Sequence, residues 1–182
     1  MIDAQTRGQN ANPQWIEERA FRLTASNFGS ICKMRSTASR AKRGEQLLYS
    51  NFFGNTATKY GVENDGVAIK DFEKIYNVAV NPCGFFIHSS HPYLGASPDG
   101  LAGNDGIIEM KCPKCKNFHP RDAIQKGIIN FATLSNNDDM ILKQNNNYYY
   151  QVQRQLEVAN REYCYFVVRS PMGMLVERVS SN

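Results

Sequence analysis

Residues 94–113, LGASPDGLAGNDGIIEMKCP, decide how the rest of the sequence is interpreted. The proline and glycine around Asp99 predict a turn, because proline fixes φ at the second turn position and glycine relieves the exit. A second reversal, Asn-Asp-Gly, returns the chain beside Asp99. Residues 107–112 then predict a short strand. Its alternation places Glu109 and Lys111 on one face, directed toward Asp99.

These three side chains suit metal-assisted phosphodiester hydrolysis. A hard divalent cation, Mg²⁺ or Mn²⁺, satisfies two carboxylates and leaves sites for water and a phosphate oxygen. The metal makes a nucleophile near neutral pH, while Lys111 orients the attacking water or helps to deprotonate it. The alternative that spacing leaves open is an amphipathic hairpin whose acids and lysine are solvated.

Length and composition bound the class of protein. With 182 residues, 42% hydrophobic and 21% charged, the chain fits one globular domain and not a disordered segment. No apolar run approaches the roughly 20 residues of a membrane span, and no signal peptide is evident. We therefore expect a soluble, intracellular protein, in the cytoplasm or nucleus according to the host. Five cysteines indicate reduced thiols, and a net charge of +4 permits a polyanionic partner.

The remaining pattern predicts helices around a few strands. Residues 1–13 are expected to be a flexible lead-in, followed by a single domain over residues 14–182. Helical spacing predicts helices over 59–76 and 147–159. Strands are predicted at 83–87, pairing with the Asp99 hairpin, and at 163–169 and 174–178, while 127–143 indicates a mixed loop and helix.

A phosphate pocket is indicated near the start of this domain. The hydroxyl residues of Thr24-Ala25-Ser26 are suited to capping a helix, and helix N-termini bind anions. Arg19 and Arg22 lie close by in the sequence. The alternative is a capped surface helix with solvated arginines. The basic run 33–43 is equally open, as a contact to DNA phosphates or as a solvated loop.

Cys112 and Cys115, with His119 nearby, form half of a zinc pattern. The second half is missing from the sequence. A structural zinc would make the chain an interaction domain, which is a third alternative for its function.

Pro98-Asp99 followed by Glu109-Met110-Lys111 resembles the PD-(D/E)XK nuclease signature. The fuller form SPDG…GIIEMKCP resembles the lambda-type exonuclease branch, the YqaJ-like viral recombinase family. The resemblance implies an α/β fold with a restriction-endonuclease-like core, in which helices flank a mixed central sheet. It also implies that the Met110 carbonyl joins the two carboxylates on the metal, and that Glu63 supplies a third acid, with Asp65 as the fallback.

Two further segments carry the resemblance. Trp15…Arg19…Leu23-Thr24-Ala25-Ser26 is similar to the family's arginine-then-TAS segment, which implies that Arg19, Ser26 and Ser97 hold the 5′-phosphate. Arg22 has no clear counterpart and stays a candidate. Tyr148…Gln151-Val152-Gln153 resembles the family's Y-x-x-Q-V-Q helix, which implies that Gln151 lies beside the catalytic water or metal, with Tyr148 a further candidate.

The function implied is a metal-dependent 5′-to-3′ exonuclease acting on double-stranded DNA ends with 5′-phosphates, of the kind used in viral recombination. Lambda-type enzymes can form ring trimers, so the resemblance allows a homotrimer, and it allows a single-strand annealing protein as partner. The alternatives are a structure-specific endonuclease or resolvase on the same core, and a non-catalytic DNA-binding module.

Overall fold

The computed structural model describes residues 2–49, 56–115 and 117–182, with the backbone alone for 48–49 and 56–65. The helices in these ranges are α1 (Ile2–Gln5), α2 (Pro13–Ala20), α3 (Ala25–Cys32), α4 (Arg40–Tyr49), α5 (Thr56–Tyr76), α6 (Pro120–Gln125) and α7 (Asn147–Ala159). The strands are β1 (Leu23–Thr24), β2 (Val80–Asn81), β3 (Phe86–Ile87), β4 (Leu94–Ala96), β5 (Gly100–Ala102), β6 (Gly106–Lys111), β7 (Ala132–Leu134), β8 (Met140–Leu142), β9 (Tyr163–Ser170) and β10 (Gly173–Ser180).

The central sheet has the strand order β10-β9-β6-β5-β2. β5 and β6 form the predicted antiparallel hairpin around Asp99, and β6 pairs in parallel with β9. The predicted pairing of 83–87 with this hairpin is wrong. β2 pairs with β5 instead, whereas β3 pairs with β4 in a second sheet. Proline and cysteine between β2 and β3 carry the chain from one sheet to the other.

Alternation along β6 divides the core between two helical layers. Ile108 and Met110 face α5, where they pack with Ala68 and Phe72. Ile107 lies on the other face, in the cluster that contains the apolar stripe of α7. Since side chains two apart share a face, Glu109 is directed to the α7 side as well. The fold therefore buries this carboxylate under a helix.

The second sheet has the order β1-β4-β3, and α7 contacts both sheets. β1 runs parallel to β4, with Thr24 opposite Gly95, so the two strands end at the same edge. Gly95 is required here because a Cβ at this position would lie 2.1 Å from the ring of Phe85. This edge brings the TAS segment beside Ser97.

The segment expected to be a flexible lead-in makes specific contacts with the domain. Asp3 accepts a hydrogen bond from the Gly84 N–H at 2.7 Å, and the buried Thr6 hydroxyl accepts one from the Phe85 N–H at 2.7 Å. Gln9 Nε2 donates to the Pro98 carbonyl at 2.7 Å. The lead-in thus supports the turn that carries Asp99.

Residues 127–143 were expected to be a mixed loop and helix, but after a loop they form the antiparallel hairpin β7-β8 and no helix. Ala132 and Leu142 are buried in it. In the described part of the chain, the helices are too short or too polar to cross a membrane.

Candidate active site

Asp99 lies between β4 and β5, in the predicted turn, and is fixed to β6 by two hydrogen bonds. Its N–H donates to the Ile108 carbonyl at 3.0 Å, and its Oδ2 accepts the Met110 N–H at 2.6 Å. The N–H and C=O of one strand residue point to the same side of the strand. The Met110 carbonyl is therefore on the side of β6 that faces Asp99.

Glu109 is buried, with 3% of its surface exposed. Gln151 Nε2 donates to its Oε1 at 2.6 Å, and Gln155 Nε2 donates to its Oε2 at 2.7 Å. Lys111 Nζ also hydrogen-bonds Oε1. A carboxylate has about four lone-pair positions, so three N–H donors leave it little freedom to rotate.

Lys111 lies between the acids and an aromatic ring. Burial lowers its pKa, but the charges of Glu109 and Asp99, with the Glu109 hydrogen bond, outweigh that effect and raise the pKa above its ordinary value. Its Nζ is 4.7 Å from the centre of the Tyr148 ring, a favourable cation–π distance. Lys111 is therefore held as an ammonium beside the two acids, in a position to donate hydrogen bonds to a water or a phosphate oxygen.

Gln155 is a site residue that sequence reasoning missed. It is 1% exposed, and besides Glu109 its Nε2 reaches the Ser97 carbonyl at 3.3 Å. Its Oε1 is buried without a hydrogen-bond partner in the described structure. The signal was its position four residues after Gln151, on the same helix face.

Arg19 and Ser97 are joined through Trp15, which was not among the predicted site residues. The Arg19 guanidinium stacks over the indole at 4.2 Å, and Trp15 Nε1 donates to Ser97 Oγ at 2.7 Å. Burial lowers the pKa of Arg19 to about 10. The guanidinium is thus positive at neutral pH, and none of the ion pairs between described residues includes it.

Ser26 is in the first turn of α3, exposed, with its hydroxyl 3.1 Å from that of Thr24. The β1–β4 pairing places it at the same edge as Ser97. Arg22 takes a different position. It pairs with Glu18 and donates to the Pro92 carbonyl at 2.8 Å, near the start of β4. The structure therefore links Arg19 to Ser97 through Trp15, places Ser26 at the same sheet edge as Ser97, and holds Arg22 near the start of β4.

The donor atoms fit a hard divalent cation, since two carboxylates and a backbone carbonyl supply oxygen alone. Glu63, the predicted third acid, is in α5, and its side chain lies outside the described residues, as does that of Asp65. Among the side chains that are described, no three His, Cys, Asp or Glu residues converge as a metal site. Asp99 and Glu109 are the acids on which a metal would depend.

Of the possible zinc ligands Cys112, Cys115 and His119, the histidine has a structural role instead. His119 is the N-cap of α6, where its Nδ1 accepts the Arg121 N–H at 3.2 Å. Cys115 is buried, which raises the pKa of its thiol. A histidine nitrogen used for capping and a buried neutral thiol are poor zinc ligands.

The family model for the YqaJ-like viral recombinase domain matches residues 14–162. Among solved structures, an alkaline exonuclease (LHK-Exo) from Laribacter hongkongensis superposes with a TM-score of 0.70 at 26% identity, covering 93% of this chain and 82% of that one. None of the curated proteins matches the sequence.

More distant structures share the fold. A phage-related exonuclease from Haemophilus somnus 129PT has a TM-score of 0.57 at 14% identity, covering 88% of this chain and 85% of its own. The shutoff and exonuclease protein of Kaposi's sarcoma-associated herpesvirus has a TM-score of 0.58 at 11% identity, covering 98% of this chain and 65% of its own. The predicted fold, a mixed α/β core of the PD-(D/E)XK type, is confirmed.

Proposed function

Because this chain belongs to the YqaJ-like viral recombinase domain family, we propose that it is a deoxyribonuclease that removes nucleotides from the 5′-phosphorylated ends of double-stranded DNA. The protein from Laribacter hongkongensis, which is 26% identical to this chain in sequence, is an alkaline exonuclease. The observation that carries the proposal is the adjacency of two groups of side chains. One group surrounds Glu109, and the other is the Arg19, Trp15 and Ser97 set.

The spacing of these groups favours cleavage at an end. Ser97 and Asp99 are two residues apart, so their Cα atoms are separated by at most roughly 7 Å, the length of two extended residues. That span is comparable with one nucleotide of an extended strand. A terminal phosphate on Arg19, Ser26 and Ser97 would place the next phosphodiester beside Asp99, and a fixed position of this kind lowers the entropy cost of reaction.

Asp99, Glu109 and the Met110 carbonyl are the groups that would bind Mg²⁺ or Mn²⁺, and Glu63 is our candidate for a further ligand. Such an ion supplies a nucleophile near neutral pH and offsets charge on the phosphate. Gln151 and Gln155 of α7 hold the Glu109 carboxylate through hydrogen bonds to its two oxygens. The Lys111 ammonium donates hydrogen bonds to the attacking water or the phosphate, while the Tyr148 ring limits its movement.

The test is nucleotide release from linear duplex DNA with 5′-phosphates, in Mg²⁺, beside a closed circle of the same sequence. Wild-type protein should release mononucleotides from the linear DNA alone, and Lys111→Ala should release none. Lys114→Ala is the matched control, because it removes an exposed lysine three residues further on. Cleavage of the circle would establish an endonuclease instead, and binding without any product would establish a DNA-binding module.

A further inference from the structure

A groove of about 670 Å³ is lined by residues other than those of the active site. It lies beside the starts of β1 and β4, whereas Asp99 follows the end of β4. Its walls come from the loop before β1, the last turn of α3, and α4. Nothing in the mechanism proposed above uses these residues.

Two aromatic side chains at this groove are largely exposed to solvent. Phe21 is 77% exposed and Tyr93 is 60% exposed, and both line the groove. The backbone below them is fixed, since the Leu23 N–H donates to the Tyr93 carbonyl at 2.8 Å. Water-exposed rings on a fixed support are what nucleic-acid bases stack on.

The segment that forms much of the groove wall, residues 23–44, is positively charged. Residues 23–44 contain five lysines and arginines and no aspartate or glutamate. Arg35 and Arg40 line the groove and are exposed, and the ion pairs between described residues include neither of them. Arg22 also lines it but is neutralised by Glu18. The groove therefore combines aromatic rings with two arginines that form no ion pair with a described residue.

We propose that this groove binds a single strand of DNA, with bases stacked on Phe21 and Tyr93 and phosphates on Arg35 and Arg40. A duplex fits less well, because its bases are stacked on one another and present only their edges and phosphates. A volume of about 670 Å³ is within the range of small-ligand pockets, so the groove takes a few nucleotides at most.

The groove lies where it could bind the strand that is not digested. This inference rests on the proposed function only in expecting DNA as the ligand. Digestion of one strand of a duplex leaves the other single. From Tyr93 to Ser97 the chain runs four residues, roughly 13 Å at strand rise. A strand released near the active site can reach the groove over this distance, which would keep the protein on its substrate.

The experiment measures fluorescence anisotropy of labelled oligothymidine, an abasic strand of equal length and a duplex, in EDTA so that hydrolysis does not contribute. The ring variant is Phe21→Leu with Tyr93→Leu, which keeps the apolar volume and removes the aromatic faces. The charge variant is Arg35→Ala with Arg40→Ala. Its control, Arg121→Ala with Lys126→Ala, removes two exposed cations from α6 and the residue after it. Met172→Ala controls for loss of an exposed apolar side chain, since Met172 is 59% exposed.

We expect the ring variant to weaken oligothymidine binding by about tenfold or more, because base stacking is a large part of single-strand affinity. Its affinity for the abasic strand and the duplex should change by less than about twofold. The charge variant should lower the slope of log affinity against log salt by about 1.4, from two phosphates at roughly 0.7 each. Both controls should bind as wild type does.

Three results would overturn the inference: unchanged oligothymidine binding in the ring variant, equal loss for oligothymidine and abasic strand, or a change of oligomeric state in the ring variant with single-strand binding intact. The last would identify the groove as a protein interface. Duplex hydrolysis by the same variants is measured separately. A protein that binds oligothymidine in the groove but hydrolyses nothing would support this inference and refute the proposed function.

Discussion

Replacing Gln155 by methionine should reduce activity while leaving the fold intact. Methionine matches glutamine in length and flexibility, so it removes the amide with little change in packing. Gln155 donates to Glu109 Oε2 at 2.7 Å, and a hydrogen bond to a charged group contributes about 1.5–3 kcal/mol to stability. Its own Oε1 is buried without a partner, which costs about 1–3 kcal/mol. The two terms are of similar size and opposite sign, so the free energy of unfolding should change little.

Activity should respond differently from stability. Without Gln155, the Glu109 carboxylate keeps donors on Oε1 alone among those described, from Gln151 and Lys111. Loss of a partner that orients a metal-binding side chain typically costs about 10–100-fold in metal affinity or activity. We therefore expect Gln155→Met to lower the rate of nucleotide release by about that factor and to raise the half-saturating Mg²⁺ concentration.

The assay pairs urea unfolding with nucleotide release over a Mg²⁺ titration. Gln153→Met is the matched control on the same helix, since its amide contacts Ser180 and not the site. The account of Glu109 is refuted if Gln155→Met has the Mg²⁺ dependence and rate of wild type. It is also refuted if stability falls by several kcal/mol while the rate per folded molecule is unchanged, because Gln155 would then be a packing residue.

Three other changes test the surroundings of the site. Trp15→Phe removes the donor to Ser97 Oγ, and it should lower the preference for 5′-phosphate over 5′-hydroxyl ends severalfold; an unchanged ratio of the two initial rates would count against the pocket. Burial lowers the pKa of Arg19 to about 10, so its charge is nearly complete at about pH 7 to 8 and is lost as the pH rises through 10. The preference for 5′-phosphate ends should therefore begin to fall between about pH 9 and 10, and a preference that stays constant over that range would contradict this assignment. Thr6→Val leaves the buried Phe85 N–H without its acceptor and should cost about 1–3 kcal/mol in urea unfolding, whereas no change would mean that the N-terminal segment is not docked in solution.

The local pattern around Asp99 was readable because it depends on short-range rules. Alternation along six residues put Glu109 and Lys111 on one face, and the structure pairs them directly. The helix 147–159 was also predicted with its observed bounds, since its apolar spacing is a local pattern. The resemblance to a family then identified Gln151 as a candidate. Its contact with Glu109 joins two segments that are distant in the sequence.

What the sequence could not provide is the choice of partner between distant segments. Residues 83–87 were expected beside the Asp99 hairpin, but β3 adds to β4, because Gly95 lets the Phe85 ring approach the backbone. Trp15 and Gln155 were missed for the same reason. Their contacts with Ser97 and Glu109 span 82 and 46 residues, and no local pattern encodes contacts at such separations. The polar lead-in gave no periodic signal, although Gln9 reaches the Pro98 carbonyl beside Asp99.

The most direct test of the central claim is the identity of the first nucleotide released. A duplex with a 5′-phosphate carries one label on its 5′-terminal nucleotide and a different label on the 3′-terminal nucleotide of the same strand, and release is followed in Mg²⁺ for wild type and Asp99→Asn. Asparagine keeps an acceptor for the Met110 N–H but removes the charge that a metal requires. We predict that the 5′ label leaves first, as a mononucleotide, and that Asp99→Asn releases neither label. Early release of the 3′ label, labelled oligonucleotides from internal cuts, or full activity of Asp99→Asn would contradict the assignment of this site.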